Sequence, residues 1–346
     1  MPFPELTERE RRVLEAVIQS YVETAQPAGS NAIARRFGLG ISPATIRNTM
    51  SDLEDKGLLY HPHTSAGRVP TDVAYRVYVD SLMPLPALAL KEHDQLSARI
   101  TSGGSAVESI LRRAAQSLGV ITQELGVALG PQLDNSIVER LDLVKLSSEQ
   151  LLVALTLTGG AVRTIFVESR AEIADVAVAE VTNVLNERIS GLTLREIRSS
   201  LAERLRDTGP TRDAAELLNV FIEEGEQLLE SATERDDDVL LGQASLLAEQ
   251  PEFANVDNMR KLVALTETRE HLSDLLRNRS SKPGITISIG NEHRDPNLEN
   301  FTIVTAQYRS GSVTGVIGVI GPTRMPYDKV ISLVTHTSRL LTDLLD

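Results

Sequence analysis

Apolar positions recur with a helical period through the first part of the chain. Val13, Leu14, Val17 and Ile18 follow the i, i+1, i+4, i+5 spacing of one buried helix face. The preceding sequence TERE, residues 7–10, has the capping-box pattern of a helix start. A shorter helix is predicted over residues 30–37, and a glycine-containing turn at residues 38–40 separates it from a third helix.

The third predicted helix has one apolar face and one face of small and polar residues. Ser42 suits the N-cap, and Pro43 suits the first helical position because proline lacks an N–H and has a preset φ. At 100° per residue, Ile46, Met50 and Leu53 share one face. Arginine and asparagine can pair bidentately with guanine and adenine edges, so the other face is typical of DNA recognition. The DNA-contacting residues predicted on this helix are Ser42, Ala44, Thr45, Arg47, Asn48 and Ser51.

A tight polar loop follows the third helix, which we expect to end at Lys56 and Gly57. Residues 58–60 are predicted to be extended, and the next eight positions carry hydroxyls, imidazoles and one guanidinium. Such a composition is typical of a wing that lies against phosphates or a minor groove. The DNA-contacting residues predicted in the wing are His61, His63, Thr64, Ser65, Gly67 and Arg68. Three helices and a wing predict a winged helix-turn-helix, although the helical pattern alone would also fit a helical hairpin.

The two wing histidines have an alternative interpretation as metal ligands. His61 and His63 could lie on one face of a strand. The neighbouring sequence offers no third carboxylate, histidine or cysteine ligand, however, so we predict no metal site.

Beyond the first 82 residues the pattern changes from helical to mixed. A proline-containing linker is predicted at residues 83–86. Strand-like runs follow two helices, at residues 138–146, 151–158 and 161–168. A helix-rich region is predicted over residues 172–232, with a strand at residues 192–197. Helical periodicity resumes at residues 256–276, followed by strands at 285–289, 301–308 and 313–320 and a helix at 327–345. Strands on both sides of a helical region predict one antiparallel sheet interrupted by an inserted domain.

Composition excludes several classes of protein. The chain of 346 residues has no cysteine, which excludes disulfides, thiolate metal sites and a cysteine nucleophile. The longest apolar stretch, residues 151–167, is interrupted by Gly159, Gly160 and Arg163, and no apolar leader region opens the chain. We therefore expect a cytoplasmic protein without a membrane span.

The net charge of −13 argues against nucleic-acid binding until its distribution is considered. Residues 1–80 hold nine lysines and arginines and ten acidic residues, so most of the excess acid lies elsewhere. Within residues 35–76 the cations Arg35, Arg36, Arg47, Lys56, Arg68 and Arg76 outnumber the acids Asp52, Glu54, Asp55 and Asp72. A locally basic tip on an acidic body predicts modest non-specific affinity, so we expect DNA binding to depend on dimerisation.

Six sequence motifs are distributed along the chain. They are TERE, SPATIRNTMSDLE and HTSAGRVPT in the first 71 residues, YRVYVD at residues 75–80, LAEQPEF at residues 247–253, and GVIGPTRM at residues 318–325 with Tyr327 close behind. Together these motifs resemble the HrcA family of bacterial heat-inducible transcription repressors. The resemblance extends over nearly the whole chain and is weak at about residues 170–240.

The resemblance implies a multidomain α/β (α+β) fold and a regulatory function. The implied fold is an N-terminal winged helix-turn-helix, then a GAF-like antiparallel-sheet domain interrupted by an inserted helix-rich dimerisation domain. We assign the winged helix to residues 1–82, a linker and connecting helix to 83–104, the GAF-like domain to 105–171 and 251–346, and the insert to 172–250. The implied function is a homodimeric, non-enzymatic repressor without a cofactor. It would bind an inverted-repeat operator upstream of chaperone operons and be kept active by the GroE chaperonin.

The helical pattern inside the insert predicts where the dimer forms, because Leu217, Leu218 and Phe221 lie at helical spacing on one apolar face. Packing against the host domain is the alternative for these residues.

At the level of function, the GAF-like region could instead sense a small molecule. A hydrolase is disfavoured, because no cysteine, no G-x-S-x-G sequence and no serine, histidine and carboxylate cluster is visible.

Overall fold

The computed structural model describes residues 4–63, 66–83, 90–102, 107–131, 133–158, 162–169, 173–207, 209–233, 239–280, 282–311 and 313–345. The chain divides into two compact units. The first comprises Met1–Ala128, Leu240–Gln307 and Val316–Leu340. The second comprises Leu129–Val239, Tyr308–Gly315 and Leu341–Asp346. Among the described helices, none is both long enough and apolar enough to cross a membrane.

The amino-terminal region contains the three helices and the wing that the sequence predicts, followed by a fourth helix that was not predicted. It consists of α1 (Glu8–Thr24), α2 (Ser30–Phe37), α3 (Pro43–Asp55), β1 (Leu59–Tyr60), β2 (Val69–Pro70) and α4 (Asp72–Val77), which continues as a wide helical turn over Tyr78–Leu82. The capping box between Thr7 and Glu10 is formed. Val13, Leu14 and Val17 of α1 are fully buried, so the predicted apolar face is the one that packs.

The remaining elements form alternating groups of helices and strands. They are α5 (Leu90–Thr101), α6 (Val107–Thr122), β3 (Leu125–Leu129), β4 (Val138–Lys145), β5 (Gln150–Leu157), β6 (Val162–Glu168), α7 (Asp175–Ile189), α8 (Leu194–Arg206), α9 (Arg212–Thr233), β7 (Val239–Leu241), α10 (Ser245–Ala248), α11 (Val256–Glu267), α12 (Arg269–Ser280), β8 (Ile285–Ile289), β9 (Phe301–Ser310), β10 (Val313–Pro322) and α13 (Tyr327–Leu345).

Two larger sheets form, in contrast to the single interrupted sheet that we predicted. One has five strands in the order β7-β3-β10-β9-β8, and β8 pairs antiparallel with β9 from Ile285↔Ala306 to Ile289↔Thr302. The other has three antiparallel strands in the order β4-β5-β6. The predicted placement of β4, β5 and β6 in one sheet with β8, β9 and β10 was wrong, because alternating patterns show which side of a strand is buried but do not show which strand is its partner. The five-stranded sheet does combine β3 with strands that follow the second unit in the sequence.

The second unit builds its core between the three-stranded sheet and the helices α7, α8 and α9. Leu151, Val153 and Leu155 of β5 are buried together with apolar residues of all three helices. Asn186 of α7 fixes the helix to β4, since its side chain accepts a hydrogen bond from the Leu141 N–H at 2.9 Å and donates one to the Leu141 carbonyl at 2.7 Å. This unit begins at Leu129, whereas the insert is predicted from the sequence to start at residue 172.

One further local prediction differs from the structure, two strands were not predicted, and part of a predicted linker falls outside the described residues. The strand predicted at residues 192–197 is instead the start of α8, where Thr193 and Glu196 form a capping box. The strands β3 and β7 were not predicted at all. Residues 84–86 of the predicted linker lie outside the described residues.

Candidate DNA-binding surface

The recognition helix α3 is held in place by its ends and its apolar face. Gly38 and Gly40 adopt φ values of 56° and 73°, a left-handed conformation that favours glycine and turns the chain from α2 into α3. Ser42 caps the helix by accepting a hydrogen bond from the Thr45 N–H at 3.1 Å. Ile46, Met50 and Leu53 are buried. The predicted packing face is therefore confirmed.

The opposite side of α3 is open to solvent. Ala44, Arg47, Asn48 and Ser51 are exposed, and Thr45 is half-buried on the flank. The hydroxyls of Ser42 and Thr45 are 2.9 Å apart, so both residues take part in the helix cap. The geometry leaves the side chains of Arg47 and Asn48 available to a partner. Contact of this face with DNA stays a prediction.

The wing is attached to the loop that precedes α2. The Ala28 N–H donates to the Arg68 carbonyl at 2.8 Å, and the Arg68 N–H donates to the Ala28 carbonyl at 2.9 Å. A Cβ atom at Gly67 would collide with the backbone of Pro27 and Ala28. Glycine is therefore required here by packing, in addition to the DNA contact predicted for it. His63 is exposed, and the predicted Thr64 and Ser65 lie outside the described residues.

Glu54 joins the recognition helix to the wing. Its Oε2 is 2.7 Å from Nη2 of Arg68, and its Oε1 is 3.0 Å from Nδ1 of His61. The Arg68 side chain is only 12% exposed. We predicted from sequence that Arg68 contacts phosphate, but the structure places its charge in an ion pair within the chain. The ion pair between Arg68 and Glu54 holds the wing against α3.

Ion pairing removes most of the local positive charge that the sequence shows. Arg36 pairs with Glu23, Lys56 with Glu10, Arg68 with Glu54, and Arg76 with Glu292. The Lys56 ammonium, 2.8 Å from Glu10, holds the pKa of that carboxyl below its ordinary value. Within the described part of the chain, Arg35 and Arg47 have no acidic partner. Electrostatic attraction to phosphate is thus concentrated on few side chains near α3.

A second set of contacts joins the winged helix to the rest of the first unit. Arg76 of α4 donates to both carboxylate oxygens of Glu292, at 2.8 and 2.6 Å, and to the Ile287 carbonyl at 2.9 Å. Burial alone would raise the pKa of Glu292. Hydrogen bonds from Arg76 and from the Ile289 N–H hold it below its ordinary value instead. Both carboxylate oxygens are therefore committed to holding α4.

Two residues of the downstream motifs contribute to the same junction. Nη1 of Arg324 donates to the Val22 carbonyl at the end of α1 at 2.6 Å, and its Nη2 lies 3.0 Å from Oε2 of Glu252. Sequence reasoning noted the stretches that contain Arg324 and Glu252 but gave these residues no role. The available signal was an arginine in the otherwise apolar and turn-rich motif GVIGPTRM and two glutamates in the motif LAEQPEF.

The residues predicted at the dimer interface lie in the core of the second unit. Leu217, Leu218 and Phe221 are 3%, 2% and 5% exposed and pack in its apolar cluster. Because a single chain already buries them, they offer no free surface to a second subunit. The surface of a dimer must be sought on other residues.

Comparison with known proteins agrees with the winged-helix architecture. A model of the HrcA winged helix-turn-helix DNA-binding domain matches residues 5–81, and a model of the HrcA C-terminal domain matches residues 108–331. The heat-inducible transcription repressor HrcA of Chlorobium phaeobacteroides strain BS1 is 41% identical over 352 residues, which cover 99% of both chains. The Geobacter sulfurreducens protein of the same name is 37% identical over 346 residues, again 99% of both chains.

A solved structure has a similar fold over the full length. The crystal structure of a hypothetical protein covers 99% of both chains with a TM-score of 0.62 at 22% identity, which supports the fold alone. The sequence relatives and both domain models carry the family assignment. The chain therefore belongs to the HrcA family of heat-inducible transcription repressors, with the family's winged-helix DNA-binding domain at its amino-terminal end.

Proposed function

We propose that the protein represses heat-shock (chaperone) operons by reading an operator with the exposed face of α3. The observation that carries the proposal is the separation of the two faces of this helix: Ile46, Met50 and Leu53 are buried, whereas Arg47 and Asn48 are exposed. Arginine and asparagine on a rigid helix can distinguish guanine and adenine in the major groove. Membership in a repressor family supports a regulatory rather than a catalytic role, and we place the protein in the cytoplasm with the chromosome.

We further propose that the operator is an inverted repeat bound by a homodimer. Four of the nine cations of the winged helix are already paired within the chain, which limits the phosphate contacts of one head, so one head would bind one half-site weakly. A second head tethered to the first makes its own binding intramolecular and multiplies the affinity. The two-fold symmetry of a dimer would then match a palindromic site.

Selection of bound sequences from a random DNA pool with the purified full-length protein tests this proposal. We expect an enriched palindrome, with half-sites separated by about one helical turn or a multiple of it. Enrichment of a single unrepeated motif would contradict the dimeric mode of binding. A pool that shows no enrichment at moderate salt would contradict sequence-specific recognition itself.

We also propose that the GroE chaperonin keeps the repressor in its DNA-binding form. Support comes from the family membership and from the low aromatic content of 3%, which suits a fold of limited stability. Refolding the denatured protein with and without chaperonin and ATP, then titrating the fraction that binds the selected operator, tests this step. A larger active fraction with chaperonin is expected. Equal active fractions would contradict it.

A further inference from the structure

Both carboxylate oxygens of Glu54 are committed to the wing. Its Oε2 lies 2.7 Å from Nη2 of Arg68, and its Oε1 lies 3.0 Å from Nδ1 of His61. Guanidinium and imidazole nitrogens are groups that proteins offer to phosphate oxygens. In the protein without DNA, the Glu54 carboxylate therefore takes the place that two phosphate oxygens would take in a complex.

The position of Glu54 is unfavourable for the helix that carries it. The last turn of α3 holds Asp52, Glu54 and Asp55 and no basic residue. Carboxylates at this end face the negative pole of the helix dipole and weaken the helix. Of these three acids, only Glu54 forms an ion pair within the described part of the chain. A departure from local preference beside a functional surface indicates that the residue serves the function of that surface.

Glu54 projects from the side of α3 that carries Arg47. The two residues are seven positions apart, so at 100° per residue their side chains differ by only about 20° around the helix axis. The side chain of Glu54 is 31% exposed, and that of Arg68 is 12% exposed. Arginine has a long, flexible chain, so its guanidinium can reach outward once the carboxylate no longer holds it. The Glu54 charge thus controls a cation at the edge of the proposed DNA-reading face.

We propose that Glu54 is an internal substitute for a DNA phosphate and thereby limits sequence-independent binding. While its pair with Arg68 persists, the wing contributes little net charge to the attraction of phosphates. Affinity then depends on the base contacts of α3 and on the second head, which favours the operator over other DNA. The meeting of wing and DNA rests on the proposed function. Glu54 would thus set specificity by acting on Arg68, without contacting a base.

The affinity of the full-length protein for a non-operator duplex of fixed length, measured over a range of salt concentrations, tests the proposal. Glu54→Gln keeps the shape of the side chain and a hydrogen-bond acceptor and removes the charge. At about 0.1 M salt we expect this variant to bind about fivefold more tightly than the parent, because Arg68 becomes free to pair with one phosphate. The slope of log affinity against log salt should steepen by roughly 0.9.

Two comparisons separate the effect of Arg68 from general charge repulsion. Asp52→Asn removes the same charge from an exposed position on α3 that has no ion pair with any described residue. Any gain in affinity from Asp52→Asn should be smaller and should persist when Arg68→Ala is added. The gain from Glu54→Gln should fall to that level when it is combined with Arg68→Ala, because the freed cation is then absent.

Three results would overturn the proposal. The first is unchanged affinity of Glu54→Gln for the non-operator duplex. The second is a gain that survives Arg68→Ala in full, which would indicate general repulsion between Glu54 and phosphates. The third is weaker binding by a Glu54→Gln protein whose circular dichroism matches that of the parent, which would show that the ion pair only positions the wing.

Folding and the proposed function are checked separately. If Glu54→Gln has lost the parental circular dichroism, Glu54→Asp takes its place, because the shorter side chain withdraws the carboxylate from Arg68 and should give a smaller gain of the same kind. No gain in that folded variant would also contradict the proposal. A parent without preference for any selected sequence, together with an intact gain in Glu54→Gln, would contradict the proposed function and leave the role of Glu54 standing.

Discussion

At the scale of single residues, ion pairing decides which charges of the winged helix can act on DNA. The sequence was enough to place Arg47 and Asn48 on the free side of α3, because helical periodicity fixes the side from which each residue projects. It could not predict the pairing of Arg68, because the partner, Glu54, lies on another element and only the folded wing brings the two together.

The Arg68 pair gives a prediction that separates a structural from a phosphate-binding role. Arg68→Ala should lower the free energy of unfolding by about 1 kcal/mol, since a partly buried charged hydrogen bond to Glu54 is lost. The slope of log affinity against log salt should stay unchanged. Arg47→Ala is the matched control and should weaken DNA binding without loss of stability. A slope reduced by roughly 0.9 in Arg68→Ala, with stability unchanged, would restore the phosphate contact.

A buried carboxyl gives the chain a pH dependence of known sign. Glu124 is 2% exposed, and burial raises its pKa well above the ordinary value, against the opposing effects of a side-chain hydrogen bond from Gln250 at 3.2 Å and of the Arg324 charge. The pKa of Glu124 is therefore higher in the folded state than in the unfolded state. Its contribution to stability is fully present at pH values below the unfolded-state pKa and is lost as the pH rises through the folded-state pKa.

Glu124→Gln should remove this dependence. As pH rises from about 5 to about 8, the free energy of unfolding of the parent should fall relative to that of the variant. Glu203→Gln, at an exposed position on α8, is the control and should follow the parent. Unfolding free energies measured by urea denaturation at each pH should diverge between the parent and Glu124→Gln. Parallel curves of unfolding free energy against pH for these two proteins would contradict the prediction, because they would show that ionisation of Glu124 in the folded state costs no free energy.

At the scale of elements, helices with strong end signals were predictable and strand pairing was not. The cap at Ser42 and the capping box at Thr7 mark helix starts in the sequence itself. The same signal is present at Thr193 and Glu196, but β-type residues around it led us to predict a strand. The three-stranded sheet was assigned to the wrong partner strands because pairing depends on tertiary contacts.

The cap of α8 can be tested by one substitution. The Thr193 hydroxyl accepts from the Glu196 N–H at 3.2 Å and donates to Oε2 of Glu196 at 2.8 Å. Thr193→Ala should therefore cost about 1 kcal/mol of unfolding free energy. Thr193→Ser keeps the hydroxyl and should retain most of the stability. Equal losses in both variants would attribute the effect to the methyl group rather than to the cap.

The core position of Leu218 on α9 gives a second test at this scale. Leu218→Ala should lower stability by about 2 to 5 kcal/mol, because it opens a cavity in the core of the second unit. Its exposed neighbour on the same helix, Asn219→Ala, should change stability little. Sedimentation should show no change in oligomeric state at concentrations where the variant stays folded. A stable Leu218→Ala monomer from a dimeric parent would restore the interface prediction.

At the scale of the whole molecule, motifs far apart in the sequence meet at the junction that holds the winged helix. Glu252 and Arg324 come from the two downstream motifs, and Arg324 also binds the Val22 carbonyl of α1. Arg76 of the upstream motif binds Glu292 in the same unit. The motifs could be recognised from sequence as belonging together, but their shared role depends on a three-dimensional arrangement that no local pattern encodes.

The central claim is that two copies of α3 read an operator through Arg47 and Asn48. The most direct measurement is the affinity of the parent, Asn48→Ala and Asn219→Ala for the selected operator and for every single base-pair change in it. Asn48→Ala should fold normally and lose about 1 to 3 kcal/mol of discrimination at one base pair in each half-site, at symmetric positions. Asn219→Ala should match the parent. If Asn48→Ala lost affinity equally for the operator and for every altered operator, or kept full discrimination at every base pair, the account would be contradicted.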